Sequence, residues 1–202
     1  SSLKICGEVM LPVRHCFLVQ SGPMFEGRIK EVMAHPQALA QCQNWLNANF
    51  PRVARVPVTS NAEGARLAAS DPAKAAIASE QAAAIFKLGI WARGVEDDPR
   101  NTTRFLVIGD MDVAPSGKDK TSLVMAAPNR PGAVHQLLSP LAENGVSMTK
   151  LESRPARSGM WEYVFFVDIE GHQSDPRVAA ALDALKRTAA FVKILGSYPA
   201  AI

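Results

Sequence analysis

DMDVAPSGKDK, residues 110–120, is polar, carries proline, serine and glycine in its middle, and lies between two apolar runs. Read as a linker, it divides the chain in two. Before it, strands and helices alternate. LKICGEVML (3–11) is strand-like, Val13 to Val19 is apolar and partly β-branched, and an apolar run spans Ile29 to Met33 beyond Gly22-Pro23. Pro36 sits where a first helical turn accepts it. Leu39, Cys42, Leu46 and Phe50 then define one apolar helix face. Val53–Val58 reads as a strand. Ser60 and Glu63 form a capping box ahead of a helix through Leu67. Ala75–Ala78 is a short strand, Ser79 a cap, and Ala82–Leu88 a further helix. This alternation predicts an α/β unit with a mostly parallel sheet covered by helices.

After residue 120 the rhythm changes. Leu123–Ala127 is a strand and residues 128–132 (PNRPG) a turn. Val134, Leu137, Leu138 and Leu141 form a helix face closed by Asn144-Gly145. Val146–Leu151 is a strand. In 161–169 the odd positions Trp161, Tyr163, Phe165, Val167 and Ile169 are all apolar, a strand with one buried face. Val178, Leu182, Leu185 and Ala189 mark a second helix, and Phe191–Leu195 a last strand. The order βαββαβ is ferredoxin-like, an α+β sheet with both helices on one face. The expected domains are therefore 1–109, a linker at 110–120, and 121–202.

Composition narrows the function. With 48% hydrophobic and 20% charged residues over 202 positions, the chain has the makeup of a folded globular protein. A formal net charge of +3, with Lys and Arg scattered, argues against a nucleic-acid partner. The three cysteines show no CxxC spacing and suggest reduced thiols in a cytoplasmic protein. Four well-separated histidines argue against a metal site, and no apolar stretch is long enough to span a bilayer.

Three stretches carry a resemblance. LESRP (151–155) followed by WEYVFFVDIEGH (161–172) resembles the ACT amino-acid-sensing domain of prephenate dehydratases. NTTRF (101–105) resembles the threonine–arginine–phenylalanine signature of those enzymes, and AHPQALAQC (34–42) their other recurring stretch. The resemblance covers essentially the whole chain. It implies conversion of prephenate to phenylpyruvate with loss of water and carbon dioxide, feedback inhibition by phenylalanine, no cofactor, and a homodimer or higher oligomer paired through the ACT domains. It also implies that residues 1–109 are one lobe of a two-lobed, periplasmic-binding-protein-like catalytic domain, with most of the other lobe missing ahead of Ser1. Whether a chorismate mutase segment precedes that lobe stays open.

The resemblance assigns Thr103 as the catalytic hydrogen-bond donor and Gln41, Asn101, Arg104 and Phe105 to the substrate. Gln41 shares a helix face with Gln37 near a helix N-terminus, a place that suits an anion. Alternation along a strand puts Thr103 and Arg104 on opposite sides, so Arg104 either bends round to a substrate carboxylate or holds its loop. For the effector, the resemblance implies Gly132, Ala133 and Val134 at a strand-to-helix turn, with Leu151, Glu152, Ser153, Arg154 and Pro155 on the following strand. Glu152 then takes the ligand's ammonium, or pairs with Arg154. Ala34 and His135 depart from the family pattern. The alternative, from a different class, is a truncated, non-catalytic amino-acid-binding regulatory fragment. A solute receptor shares the topology of the first half and leaves the second unexplained.

Overall fold

The computed structural model describes residues 2–21, 28–127, 130–156 and 163–201. In chain order the elements are β1 (Lys4–Pro12), β2 (Cys16–Gln20), β3 (Glu31–Ala34), α1 (Pro36–Gln41), α2 (Gln43–Asn49), β4 (Ala54–Pro57), α3 (Asn61–Ser70), β5 (Lys74–Ala78), α4 (Glu80–Phe86), β6 (Leu88–Arg93), β7 (Thr102–Gly109), β8 (Asp119–Ala126), α5 (Ala133–Glu143), β9 (Met148–Pro155), β10 (Tyr163–Glu170), α6 (Pro176–Thr188) and β11 (Phe191–Pro199). Gly22-Pro23, the Pro128-Asn129 part of the turn, and Trp161 lie outside the described residues. The chain forms two compact units, Pro12–Thr103 and a second that joins Ser1–Leu11 to Arg104–Ile202.

The unit Pro12–Thr103 holds a five-stranded sheet in the order β4-β3-β5-β2-β6. β3 runs parallel to β4 and β5, but β2 is antiparallel to both its neighbours. Four of the five strands therefore run in one sense, the mostly parallel sheet expected, and β2 alone is reversed. A parallel neighbour needs a crossover, and α4 supplies one from β5 to β6; β2 is slotted between them in the opposite sense. Side-chain alternation sends Phe17, Val32, Ala75 and Ile77 to one face, against Leu46 and Phe50. There Phe17 stacks on Phe50 with centroids 4.6 Å apart. Leu18, Ala76 and Ala78 face the other way, onto Ala65, Ala68, Ala82 and Ala83. Alanine on both sides of that seam lets α3 and α4 lie close to the sheet.

The helix expected to run through Leu39, Cys42, Leu46 and Phe50 is two helices, broken at Cys42. The apolar face is kept, with Cys42, Leu46 and Phe50 all buried. The break has a cause distant in sequence. The Asp97 carboxylate accepts the N–H groups of Asn44 and Trp45, and so caps α2 from another segment. Ser60 and Ser79 cap α3 and α4 through the N–H groups of Glu63 and Ala82. The Glu63 carboxylate turns to Arg66 rather than completing the capping box.

In the other unit, β11-β8-β10-β9 form an antiparallel sheet, with β9 at one edge. Leu137 and Leu141 of α5 and Val178, Leu182 and Leu185 of α6 pack on Leu123, Met125, Val167 and Ile169, the ferredoxin-like arrangement. β8 begins at Asp119, so the polar stretch 110–120 gives its last two residues to this sheet.

β1 and β7 form a separate two-stranded sheet. It exposes Val9, Leu11, Phe105, Val107 and Ile108 at about half their surface. This ribbon is tied to the ferredoxin-like sheet by a buried ionic cluster. The Glu8 side chain is fully buried and accepts from Lys120 Nζ and from the Ala201 N–H, both at 2.8 Å. Burial pulls the Glu8 carboxyl up, but Lys120, the Ala201 N–H and Arg104 together outweigh it and hold its pKa below 4.5. A carboxyl depressed by folding contributes stability above its unfolded pKa and loses that contribution as pH falls through the folded one. The denaturation midpoint of this unit is therefore expected to fall as pH drops below 4.5, and to fall less in Glu8→Gln. Chemical denaturation on either side of that pH checks this; equal slopes would place the acid-sensitive group elsewhere.

Candidate active site

A cavity of about 310 Å³ opens in the unit Pro12–Thr103. Its walls come from the residues that lead into β2, from α1, from the start of α3, and from Asn101 and Thr103. Gln41, distant in sequence from Asn101 and Thr103, lines it together with them, as do His15, His35, Thr59 and Asn61. No aspartate, glutamate, lysine or arginine is among its lining residues.

The 97–101 stretch is polar because almost every polar group in it is used. The Asp97 N–H donates to the Gln41 carbonyl at 2.7 Å while its carboxylate caps α2. Asp98 accepts the Arg100 N–H, and the Asn101 N–H donates back to the Asp98 carbonyl. The Asn101 carbonyl accepts from the Val13 N–H at 2.8 Å, which sets the segment against the entry to β2. Buried Glu96 accepts the His15 N–H at 2.9 Å and Arg14 Nη1 at 3.0 Å. Burial raises the Glu96 pKa, but the His15 N–H, the residue's own N–H and Arg14 bring it below the ordinary value. Glu96 therefore stays an anion that orders the backbone under the cavity.

These bonds aim donors inward. His15 Nε2 lies 3.0 Å from Gln41 Oε1. A carboxamide oxygen only accepts, so the imidazole carries its proton on Nε2 and the Gln41 NH2 is left as a donor. Asn101 Nδ2 is buried with no protein acceptor among the described residues. The Thr103 hydroxyl has no bonded partner there either, and its residue is exposed. At the far wall, Ser60 caps α3, and the first N–H groups of that helix have no intrahelical acceptor. Asn61 Oδ1 accepts the His35 N–H at 2.9 Å, joining the starts of α1 and α3. The result is a neutral, donor-rich cavity suited to oxygen-bearing anions. His15, Thr59 and Asn61 were not singled out from the sequence. His15 lies in a strand-like run, and nothing local marks it as the residue that orients Gln41.

Arg104 and Phe105, expected at the substrate, are not among the lining residues. Phe105 is 53% exposed on the β1–β7 ribbon. The Arg104 guanidinium bonds Glu8, Asp168 and Tyr198 instead. These partners go with the second of the two roles left open for it, holding the chain. No cysteine serves as a nucleophile here: burial, with Asp97 and Glu96 nearby, pushes the Cys42 thiol up to about 12.

The residues expected at the effector divide between two elements. Gly132 adopts φ 76°, a conformation that favours glycine, and starts α5 at Ala133. Val134 is 43% exposed. Leu151, Glu152, Ser153, Arg154 and Pro155 lie on the edge strand β9. Glu152 pairs with both Lys150 (3.1 Å) and Arg154 (2.7 Å), the second of its two expected roles. Leu151 and Met148 leave that edge apolar, 44% and 40% exposed.

An α/β unit with a donor-lined cavity and a ferredoxin-like α+β module together make up the chain. The prephenate dehydratase family model matches residues 1–113, and the ACT domain model residues 121–187. The chain belongs to the prephenate dehydratase family. It is 52% identical over its whole length to a bifunctional chorismate mutase/prephenate dehydratase of Neisseria gonorrhoeae, of which it covers 56%. The prephenate dehydratase of Arthrobacter aurescens, solved in complex with L-Phe, superposes with a TM-score of 0.85 at 33% identity; the match takes in 98% of this chain and 66% of that one. A protein described as a novel type of quorum quenching acylase superposes equally well, at 33% identity over 98% of this chain and 73% of its own. The chain spans about half the length of the curated relatives it matches.

Proposed function

We propose that the chain supplies one lobe of the catalytic domain, and the ACT domain, of a prephenate dehydratase inhibited by phenylalanine. The observation that carries this reading is the convergence of the Thr103 hydroxyl with the amide donors of Gln41 and Asn101 on one neutral cavity. Prephenate has two carboxylates and a ring hydroxyl. As the ring carboxylate leaves as carbon dioxide, its bonding electrons enter the ring and expel the hydroxyl oxygen, which takes up a proton and departs as water. Charge grows on that oxygen only in the transition state, and a donor placed there lowers the barrier. Thr103 is that donor. A threonine hydroxyl is a very weak acid, so it acts by hydrogen bonding or by relaying a proton. Gln41, Asn101 and the start of α3 hold the carboxylates.

The apolar surface of the β1–β7 ribbon calls for a cover. We assign that cover to the polypeptide that makes up the remaining length of the relatives, which also supplies the second wall of the substrate cleft. The open edge of β9 is assigned to a second copy of the chain, with phenylalanine bound at the seam near Gly132 and Glu152. The protein is cytoplasmic in this reading.

Two assays test it. The first compares the chain alone with a fusion that places ahead of it the segment preceding the matched region in the Neisseria gonorrhoeae relative. Phenylpyruvate is followed by its absorbance in base. Turnover by the fusion is expected. A fusion inert towards prephenate overturns the assignment, and one that instead cleaves an acyl-homoserine lactone favours an acylase. The second is sedimentation with and without phenylalanine, where a monomer indifferent to the amino acid removes the regulatory half. An inert fusion that still binds phenylalanine would support the non-catalytic alternative.

A further inference from the structure

Arg104 follows Thr103 by one peptide bond, yet its guanidinium is held within the C-terminal unit by two hydrogen bonds and an ion pair, Nε lying beside Glu8 without a hydrogen bond of its own among the described residues. Nε lies 2.5 Å from Glu8 Oε2, Nη2 donates to Tyr198 OH at 2.6 Å, and Nη1 bonds Asp168 Oδ2. Ser122 Oγ closes the cluster, bonding Asp168 Oδ1 and standing 2.6 Å from Tyr198 OH. Glu8 is held in turn by Lys120. One planar fork thus ties β7 to β1, β10 and β11, with β8 bridging. Two cations balance two anions, and Tyr198, Ser122, Asp168 and Glu8 are all buried. A lysine has neither the fork nor the reach to hold all three partners.

Two further features give this cluster a direction. Along a strand, successive side chains point to opposite sides. Fixing Arg104 therefore fixes where Thr103 points. At the other end, Asp168 sits where the β9–β10 register shifts, between Asp168 and Ile169. Its partner across the ladder is Lys150, one residue before Leu151, and its carbonyl accepts Thr149 Oγ1 at 3.3 Å. A bulge interrupts the ladder locally and re-aims the side chains beside it, so a change at β9 reaches Asp168 directly.

We propose that Arg104 is a positioning residue for the dehydration, setting the orientation of Thr103 from the ACT sheet through Asp168, and that phenylalanine acts on the reaction along this route. The inference rests on the reading of Thr103 and of phenylalanine above.

The test uses the fusion, with Arg104→Gln, Arg104→Lys, Asp168→Asn and the double variant Arg104→Gln/Asp168→Asn. Each glutamine or asparagine variant is expected to lower kcat by about tenfold or more, with KM within about threefold. The double variant is expected to be no worse than the poorer single, because both act through one contact. Arg104→Lys, the mildest change, is expected to keep the fold and still lose much of kcat and of the response to phenylalanine. A raised KM with kcat intact would make Arg104 a substrate contact and overturn the proposal. Additive single effects would overturn it as well. A readout free of turnover separates this proposal from the function itself: methyl NMR of threonine-labelled chain, with Thr103 assigned by its loss in Thr103→Val. Asp168→Asn is expected to move the Thr103 methyl, and Lys186→Ala, on an exposed pair of α6, is not. A stationary Thr103 resonance in Asp168→Asn sinks the inference even in an active enzyme. A moved resonance in a fusion that leaves prephenate untouched upholds the positioning and rejects the dehydratase reading.

Discussion

Thr103→Ala, made in the fusion, is expected to lower kcat by about a hundredfold to a thousandfold while KM stays within about threefold, the loss measured when one transition-state donor is removed from an enzyme site. The split between the constants carries the meaning. The carboxylates of prephenate are present in the ground state, and the donors expected to hold them, Gln41, Asn101 and the start of α3, remain in the variant. The charge on the departing oxygen exists only at the barrier, where Thr103 acts. Thr103→Ser keeps the hydroxyl and should retain most of the rate. Its small remaining deficit reflects the lost methyl, which restricts χ1. Steady-state kinetics of the three proteins decide it. An unchanged kcat in the alanine variant removes Thr103 from the chemistry, and a raised KM alone makes it a binding residue.

The largest effect on stability is expected at Gly196. A Cβ there would lie 2.1 Å from the Ile5 carbonyl oxygen and 2.8 Å from the Ile5 nitrogen. Both are backbone atoms, so no side chain can rotate away. The register of β11 against β8 shifts between Ile194 and Gly196, which brings the strand up against the N-terminal segment. Gly196→Ala must separate the two or distort both, at about 3 kcal/mol or more. The thermal midpoint of this unit should fall by about 10–20 °C. Gly117→Ala is the control. Its φ of 88° strains an alanine, but a Cβ there meets nothing within 4 Å. That change should cost only about 1–2 kcal/mol. Equal losses in the two variants would show that Ile5 does not lie against Gly196.

What could be read from the sequence was what repeats locally. The buried face of β10 at Val167 and Ile169, the helical spacing of Leu137 and Leu141, and the caps at Ser60 and Ser79 appear in the structure as read, while Tyr163, read on that same face, is 44% exposed. Each rests on neighbours within a few residues, so its physics is present in the string. Thr103, Asn101 and Gln41 were legible in another way, because whole motifs matched a known family. Their periodicity would have left Thr103 an ordinary strand residue.

Other features were decided only by tertiary contacts. The helix at 36–49 breaks because a carboxylate more than forty positions away, Asp97, reaches its N–H groups. β2 runs antiparallel because β5 and β6 leave it a place between them. Arg104 meets Glu8, Asp168 and Tyr198, which come from opposite ends of the chain, a convergence no local spacing announces. By itself the sequence determined most of the strands and helices and the buried faces of α5 and α6, since those follow from local spacing. Which charges meet, and so which polar residues face the cavity and which hold the frame, was decided by the folded chain, because electrostatic pairing depends on distance in space and the sequence records only distance along the backbone.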